Sequence, residues 1–309
     1  MKNFALKTFK FLLFAGLFYL VTLILWGELV PQLLKPNLNY KIGANGHLYS
    51  RVSEIKNFKD VDILFLGSSH TYRGFDPRIF SEYGYKSFNL GSSAQSHIQT
   101  KVLFDRYFET LNPKVVIYEV YPATFHFDGV ESSLDLISND KNDFYSLEMI
   151  LKINNIKTYN TFFYCVIRDF LGLNESFTES PYKGNNKYIS GGYVENKVDY
   201  FKPYPLEQKE VTIKDSQFEP FVEIVEELKQ RNIELVLVYA PIPRVNYDSY
   251  TNTKYFDSLM STYSTYYNFN EIVTLEDSVH FIDSHHLNQN GVEEFNKKLI
   301  EILEKDNAL

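Results

Sequence analysis

The chain has very little cysteine and no excess of positive charge, and both facts narrow what it can be. Its 309 residues include a single cysteine, Cys165, which excludes an internal disulfide and a cysteine-rich zinc site. Lysine and arginine total 31 against 39 for aspartate and glutamate, a formal net charge of −8. This charge argues against nucleic-acid binding as the main function, because such binding depends on basic side chains that neutralise phosphates. Internal repeats and low-complexity tracts are also missing, which argues against a repeat architecture.

The N-terminus, by contrast, is rich in apolar residues. Three lysines in the first ten residues precede an apolar run from Phe11 to Trp26, and the apolar character continues to Val30. A helix of about 20 apolar residues crosses a bilayer core, and the lysines place the N-terminus on the cytoplasmic side. We therefore predict residues 1–35 as a single-pass anchor in the inner or cytoplasmic membrane, with the remaining chain on the periplasmic or extracellular side. A cleaved signal peptide is the alternative.

The rest of the chain is long enough for one large α/β domain. Hydrophobic residues make up 44% of the chain and aromatic residues 17%, so a substantial core is available. Pro31 and Pro36 end the anchor, and the polar, turn-rich residues that follow predict a linker and lead-in over residues 36–60. Residues 61–309 form the predicted domain, and residues 123–205 within it are predicted as an insertion or cap.

Apolar runs alternate with amphipathic segments across this domain, which predicts a doubly wound, mostly parallel sheet. The predicted strands cover residues 62–66, 86–90, 114–120 and 233–239, with a last strand at 272–275 or 279–282. One predicted helix begins at Asp76, and others cover 95–111, 144–151, 159–171, 215–231, 254–267 and 291–305. An aromatic segment around residues 188–193 offers tyrosines that suit either sugar stacking or core packing.

A polar turn with two serines follows the first predicted strand. Gly67, Ser68 and Ser69 come directly after the apolar run, and His70 and Arg73 come next. In open α/β sheets, ligands bind just beyond the carboxyl ends of the strands. A serine beside a turn glycine at that point is placed to act as a nucleophile. The alternative is a polar turn in which Ser69 caps the next helix.

The far end of the chain carries residues that would activate such a serine. An apolar segment runs into Asp283, His285 and His286. A hydroxyl nucleophile needs a base, and the base needs a third group that fixes its tautomer. Ser69, His286 and Asp283 would supply these three roles. A metal site that uses these histidines is the alternative, but the three roles already account for Asp283 and His286, so we predict no metal.

Three short blocks of the sequence resemble the SGNH, or GDSL-like, hydrolases. They are Gly67-Ser68-Ser69, Asn89-Leu90-Gly91 and the segment from Asp283 through His286 to Gly291. The resemblance covers roughly residues 60–125 and 232–305. It is to the membrane-anchored branch that acts on cell-surface polymers. That branch includes the D-alanyl transfer protein of teichoic acid modification and the acetyltransferases of exported polysaccharides.

The resemblance implies that Ser69 is the nucleophile, His286 the general base and Asp283 its orienting partner. It also implies that the backbone N–H groups of Ser69 and Gly91 stabilise an oxyanion. Two positions depart from the family pattern. Ser68 stands where the name motif of the family has aspartate, a change that the anchored branch shares.

The second departure concerns the third oxyanion donor. The third block of the family supplies an asparagine, whereas the third strand here ends at Glu119-Val120-Tyr121-Pro122. The sequence therefore leaves this donor open among Glu119, Tyr121 and a residue from elsewhere.

Four side chains are further candidates for substrate contacts. His70 follows the predicted nucleophile, His285 precedes the predicted base, and Tyr121 follows the third strand. Arg73 is suited to an anionic glycan or a phosphate. Each has a structural alternative, namely capping or packing for His70 and a plain surface position for Arg73 and His285.

Together these features predict a membrane-anchored serine acyl-ester hydrolase or O-acyltransferase that acts on a cell-envelope or exported polysaccharide. The motifs do not separate hydrolysis from transfer, because both reactions share the acyl-enzyme. The expected partners are the lipid bilayer, an acylated glycan and a membrane-bound O-acyltransferase that delivers the acyl group, with no nucleic acid and no metal or organic cofactor. A non-catalytic scaffold subunit of a membrane acyltransferase or export complex is the alternative. A soluble secreted lipase is a third possibility, which the anchor disfavours.

Overall fold

The computed structural model describes residues 1–196 and 199–309, and it has a parallel sheet of five strands at its centre. The strands in chain order are β1 (Ile63–Leu66), β2 (Ser87–Asn89), β3 (Val115–Glu119), β4 (Tyr182–Lys183), β5 (Asn186–Ile189), β6 (Tyr193–Asn196), β7 (Glu234–Tyr239) and β8 (Thr265–Asn268). The central sheet has the order β2-β1-β3-β7-β8, and every neighbouring pair is parallel. The remaining three strands form a small antiparallel sheet.

Helices cover both faces of the central sheet. The α-helices of the described residues are α1 (Lys2–Leu29), α2 (Leu48–Glu54), α3 (Ser69–Gly74), α4 (Pro77–Glu82), α5 (His97–Leu111), α6 (Val130–Asn139), α7 (Phe144–Ile153), α8 (Ile156–Phe170), α9 (Asp215–Gln230), α10 (Arg244–Tyr247), α11 (Thr253–Met260), α12 (Phe269–Ile272), α13 (Asp277–His280) and α14 (Gln289–Lys305). The predicted α/β fold with a mostly parallel sheet is confirmed.

The apolar run of β1 is explained by its position between two cores. All four of its residues are fully buried. Successive side chains of a strand point to opposite faces of the sheet. Leu64 and Leu66 therefore join one core, while Ile63 and Phe65 join the core on the other face. A strand buried on both faces has no polar alternation, and this is why it reads as a continuous apolar run.

The strand order places a crevice between β1 and β3. The chain leaves β1 towards β2 on one side and later returns to β3 on the other side. In doubly wound sheets this reversal of order opens a crevice at the carboxyl ends of the strands, where ligands bind. Ser69 follows β1 and Glu119 ends β3, so both residues lie at this crevice.

The prediction for the last strand was wrong. Neither of the two predicted segments forms a strand of the central sheet. The edge strand is β8, most of which was predicted as the end of a helix over residues 254–267. Helix α11 ends at Met260, and Thr265–Asn268 pairs with β7 instead. The side chain of Asn268 then caps α12 by accepting a hydrogen bond from the backbone N–H of Asn270. Phe281 forms only an isolated bridge with Leu287, and the loop between them carries Asp283 and His286.

The predicted insertion packs onto the domain. It contains α6, α7, α8 and the small antiparallel sheet, while residues 197 and 198 within it lie outside the described part of the chain. The backbone N–H of Asn89 at the end of β2 donates to the carbonyl of Gly191 at 2.9 Å, which ties the small sheet to the edge of the central one. The two tyrosines of the aromatic segment 188–193 face inward, whereas Tyr182, Tyr200 and Tyr204 elsewhere in the insertion are exposed. Tyr193 is buried with its hydroxyl 2.7 Å from Gln289 Oε1, and the Tyr188 hydroxyl donates to Glu54 Oε2 at 2.6 Å. Both therefore serve packing rather than sugar stacking.

Helix α1 is long and apolar enough to cross a membrane, with a mean hydropathy of 2.1 over its most apolar 18 residues. A membrane anchor and a signal sequence share this property. After it, residues 36–60 fold against the domain: Leu38 and Leu48 are fully buried, and the second of them begins α2. The division of the chain at residues 35 and 60 stays a prediction.

Candidate active site

A tight turn after β1 presents the predicted nucleophile. Gly67 has a φ of 139°, and a side chain there would clash with Thr71 Oγ1 and lie 2.9 Å from the carbonyl oxygen of Glu119. Only glycine fits this turn, because it lacks the Cβ atom that would clash. Ser68 is the helix cap, and its Oγ accepts a hydrogen bond from the backbone N–H of His70 at 3.3 Å. The capping role proposed for Ser69 therefore belongs to Ser68, and the Ser69 side chain is left to face the crevice.

The structure brings Ser69, His286 and Asp283 together. Ser69 Oγ lies 2.8 Å from His286 Nε2, and His286 Nδ1 lies 2.8 Å from Asp283 Oδ2. The other oxygen of Asp283, Oδ1, accepts hydrogen bonds from the backbone N–H groups of His285 and His286 at 2.9 and 2.8 Å. An ionised carboxylate only accepts hydrogen bonds, so it assigns the imidazole proton to Nδ1 and leaves Nε2 as the acceptor for the serine hydroxyl.

Burial sets the protonation state of this pair. The His286 side chain is 12% exposed and that of Asp283 is 43% exposed. Burial lowers the pKa of the His286 imidazole, and the hydrogen bond to Asp283 opposes this only in part. Burial works to raise the pKa of the Asp283 carboxyl, but hydrogen bonds and the two neighbouring imidazoles hold that pKa well below its usual range. At neutral pH the pair is thus a neutral imidazole and a carboxylate, the state that a general base requires.

The loop that carries the base is held by residues that the sequence analysis did not identify. Asn246 donates from Nδ2 to the carbonyl of Ser284 at 2.7 Å. Asn288 caps α14 and donates to the carbonyl of Val279 at 2.7 Å. Asn288 belongs to the segment from Asp283 to Gly291 that resembles the family, and that resemblance gave a signal for it. Asn246 follows β7 in a segment without a motif, and no sequence signal marked it.

The two predicted oxyanion donors differ in their surroundings. Ser69 is the first residue of α3, and the first N–H groups of a helix have no partner within that helix. The Gly91 N–H, in contrast, donates to Asn89 Oδ1 at 3.0 Å. Gly91 also allows a close backbone approach, since a Cβ atom there would lie 2.6 Å from the Ser68 carbonyl oxygen. Gly91 therefore fixes the position of α3, and an oxyanion would have to share or displace its bond to Asn89. Its oxyanion role stays a prediction.

A buried polar cluster lies behind the serine. His70 is 5% exposed, its ring centroid is 4.0 Å from that of Tyr121, and its Nδ1 is 3.6 Å from Glu119 Oε1. Glu119 Oε2 is 3.5 Å from Ser68 Oγ, and Glu119 itself is buried. Tyr121 is also buried, and burial raises its pKa well above the usual range, so its hydroxyl stays protonated. Glu119 and Tyr121, which the sequence left open as a third oxyanion donor, thus both lie in this buried cluster.

The remaining two candidates for substrate contact lie towards the surface of the site. His285 is 39% exposed, and its ring centroid is 4.1 Å from that of His286. Burial lowers the pKa of His285, which favours a neutral ring. Arg73 lies one turn after Ser69 on α3 and donates from Nη1 to Asn186 Oδ1 at 3.1 Å. Arg73 is thus bound to the small antiparallel sheet, so any ligand would have to compete with Asn186.

Three histidines at the site have the spacing of possible metal ligands. One ring nitrogen each from His70, His285 and His286 lies within 4.8 Å of the other two. Both ring nitrogens of His286 are already engaged, by Ser69 and by Asp283. A metal bound here would have to take Nε2 of His286 away from the serine.

The arrangement can carry out acyl transfer through a serine ester. In such a reaction Ser69 would supply the nucleophile, His286 the proton acceptor, and Asp283 the group that orients the base. The three side chains come from the carboxyl end of β1 and from the loop before α14, so the sheet and α14 fix their relative positions.

No protein-family model matches the chain, and no curated protein matches it in sequence. Among solved structures, it is similar to a candidate acylhydrolase from Bacteroides fragilis NCTC 9343, with 13% sequence identity, a TM-score of 0.40, and coverage of 82% of this chain and 94% of that one. It is also similar to a GDSL-like lipase from Bacteroides thetaiotaomicron VPI-5482, with 12% identity, a TM-score of 0.44, and coverage of 84% and 98%. Both are similarities of three-dimensional structure at low sequence identity.

Proposed function

We propose that the protein is a serine acyl-ester hydrolase or O-acyltransferase of the SGNH type, anchored in the cytoplasmic membrane, that acts on a cell-envelope or exported polysaccharide. The observation that carries the proposal is the pair of 2.8 Å hydrogen bonds that join Ser69 to His286 and His286 to Asp283. A serine, a buried neutral imidazole and a carboxylate in this order form a nucleophile with its base and the orienting group of that base.

The reaction runs through two proton relays at His286: the serine proton leaves with the alcohol, and a proton from the acceptor returns to Ser69 Oγ when the acyl–serine bond breaks. Ser69 Oγ attacks the acyl carbonyl carbon while its proton passes to His286 Nε2, and the Ser69 N–H stabilises the oxyanion. The ester C–O bond then breaks, and His286 returns the proton to the leaving alcohol. Water or a glycan hydroxyl next gives its proton to His286 and attacks the acyl-enzyme, which releases Ser69. The identity of this acceptor decides between hydrolysis and transfer.

The surface around the N-terminal helix supports the membrane part of the proposal. Helix α8 packs beside the end of α1, where the Tyr164 hydroxyl donates to Glu28 Oε1 at 2.8 Å and Arg168 pairs with the same carboxylate. The outward side of α8 is apolar and exposed over its length, at Ile156, Phe163, Val166 and Phe170. These positions share one helix face, so the apolar surface of α1 continues onto the domain. The partner that we propose is a membrane-bound O-acyltransferase, which supplies the acyl group and lies in the same membrane as α1.

Hydrolysis of p-nitrophenyl acetate by the detergent-solubilised full-length chain tests the chemistry. We expect turnover by the wild type and by Ser216→Ala, whose exposed serine lies on α9, and loss of turnover in Ser69→Ala and His286→Ala. Circular dichroism of each variant checks that the fold is kept. Wild-type activity that survives in Ser69→Ala would contradict the proposal.

One observation favours a second function, a non-catalytic scaffold of an acyltransferase complex. The Gly91 N–H is already hydrogen-bonded to Asn89, and the asparagine of the third block is missing, so the oxyanion site has fewer ready donors. A fluorophosphonate probe separates the two functions, because it reacts only with an activated serine. Labelling of the wild type but not of Ser69→Ala supports the enzyme. No labelling, together with no hydrolysis, supports the scaffold.

A further inference from the structure

His70 is buried beside the proposed base without a hydrogen-bond partner. Neither of its ring nitrogens has such a partner among the described residues, although the side chain is only 5% exposed. Its ring centroid lies 5.3 Å from that of His286 and 5.7 Å from that of His285. An imidazole buried without a partner costs free energy, because it has lost its hydrogen bonds to water. A ligand that takes up the lone pair of the ring would remove this cost.

Carboxylates lie beside two of the three rings, those of His70 and His286, and one of these carboxylates is hydrogen-bonded to its ring. A histidine that binds a metal commonly donates its second N–H to a carboxylate, which fixes its tautomer. Asp283 holds His286 Nδ1 at 2.8 Å, and Glu119 lies 3.6 Å from His70 Nδ1.

We propose that His70, His285 and His286 form a binding site for a divalent transition-metal ion, with zinc as the best fit, and that the bound ion blocks the chemistry of Ser69. Three imidazoles suit zinc, copper, nickel or cobalt rather than calcium or magnesium, which prefer oxygen ligands. Zinc–nitrogen bonds of about 2.0–2.1 Å bring tetrahedral ligands to roughly 3.4 Å from one another. The three nitrogens already lie within 4.8 Å of each other, so rotations of the exposed His285 ring and small shifts of the others close the site.

Metal binding and serine activation exclude each other at this site. His286 Nε2 has one lone pair, which either accepts the Ser69 proton or binds the ion. Three protein ligands leave the fourth zinc position for water or for Ser69 Oγ itself. The ion therefore acts as a reversible inhibitor. This inhibitory half of the inference rests on the proposed function, whereas metal binding itself does not.

Cobalt absorption measures binding without any reference to activity. Co²⁺ is titrated into the full-length chain in detergent, and visible d–d bands report a tetrahedral nitrogen site. We expect one ion per chain, displacement by Zn²⁺, and affinity weakened at least about tenfold in His285→Asn and His70→Asn. His126→Asn is the matched control, because His126 is exposed and bound to Thr212 outside the cluster, and it should bind as the wild type does. Absence of a spectrum in the wild type, or equal affinity in His285→Asn and His126→Asn, would overturn the site.

Ester hydrolysis under chelation tests the inhibitory half. We expect Zn²⁺ to inhibit the metal-free enzyme, EDTA to restore the rate, and the inhibitory concentration to rise at least about tenfold in His285→Asn relative to its own uninhibited rate. Cobalt binding with unchanged hydrolysis would overturn the inhibition. Cobalt binding by a metal-free chain that neither hydrolyses the ester nor reacts with the fluorophosphonate probe would instead remove the proposed function and leave the metal site standing.

Discussion

Ser69 Oγ and His286 Nε2 lie 2.8 Å apart, although 217 positions separate the two residues in the chain. The contact joins the turn after the central strand β1 to the loop before the last helix. The third member, Asp283, lies on the same short loop as His286 and binds both its ring and its backbone N–H. A single short loop therefore positions both His286, the proposed base, and Asp283, its proposed orienting group.

The first prediction concerns this unit. In Asp283→Asn the amide would present an N–H group to His286 Nδ1, so the proton would move to Nε2 and the ring could no longer accept from Ser69. We expect the rate to fall by up to about 10,000-fold, because the corresponding change in serine proteases lowers kcat by about that factor. Steady-state hydrolysis of p-nitrophenyl acetate measures it. Asp215→Asn, an exposed aspartate at the start of α9, is the control and should keep the wild-type rate. A loss below about threefold in Asp283→Asn would remove Asp283 from the mechanism.

The second prediction is a pH dependence. Because burial lowers the pKa of His286 below its ordinary value of 6.5, the neutral ring that the reaction needs persists at pH values where an exposed histidine is already charged. The acid limb of kcat/KM should therefore have its midpoint below pH 6.5. A pH–rate profile between pH 4 and 9 measures it, with circular dichroism at each pH to exclude unfolding. A midpoint at or above 6.5 would contradict the assignment of His286 as the buried base.

The same shift affects stability, and its sign follows from proton binding. Between the folded pKa and 6.5 the unfolded chain binds more protons at this histidine, so folding stability rises with pH over that window. The contribution of the neutral His286 ring to folding stability is complete above pH 6.5, and it is lost as the pH falls through the pKa that His286 has in the folded state. Chemical denaturation of wild type and His286→Asn at several pH values measures the difference. The slope of stability against pH between 4 and 6.5 should be shallower in the variant, and equal slopes would show that His286 titrates normally.

Features of the fold and the site that are formed by residues close together in the sequence could be predicted, whereas features that depend on distant residues could not. The turn after β1 and the loop from Asp283 to His286 are local motifs, and the structure brings Ser69, His286 and Asp283 together, although Ser68 rather than Ser69 caps the helix and the described chain forms no strand directly before the loop. The edge strand β8 was missed because its residues, Thr265 to Asn268, carry no long apolar run and follow directly on a helical pattern. Strand formation there is decided by pairing with β7, which local propensity does not report.

The surroundings of the site were less predictable than its three central residues. His70 and Glu119 lie close together only because β1 and β3 are neighbours in the sheet. Neither segment carries a sequence pattern that predicts this contact. The bond from Gly91 to Asn89 likewise depends on how β2 ends. These contacts join residues that the motifs treat separately, so only the folded chain displays them.

The third prediction uses the close approach of Gly91 to α3. In Gly91→Ala the new methyl group would lie 2.6 Å from the Ser68 carbonyl oxygen and 2.8 Å from Thr71 Cβ, so α3 has to move. We expect the free energy of unfolding to fall by about 1–3 kcal/mol, and hydrolysis to fall with it because Ser69 begins that helix. Gly74→Ala is the matched control, since a Cβ atom there meets nothing within 4 Å. Urea denaturation compares the two variants, and equal stability would show that the backbone does not approach as closely as described.

The last prediction separates an anchor from a cleaved signal sequence. Glu28 at the end of α1 binds Tyr164 and Arg168 on α8, and Leu23 is buried against the domain, so removal of α1 would strip contacts from the folded protein. We therefore expect the mature chain to retain α1 and to stay in the membrane pellet after carbonate extraction, with a C-terminal tag accessible to protease from outside the cell. Intact mass spectrometry identifies the N-terminus of the purified protein. A protease-sensitive tag on the cytoplasmic side would reverse the proposed orientation. A mass that corresponds to a chain lacking the first 30 residues, together with release into the soluble fraction, would show that α1 is a cleaved signal sequence. The protein would then be secreted rather than membrane-anchored.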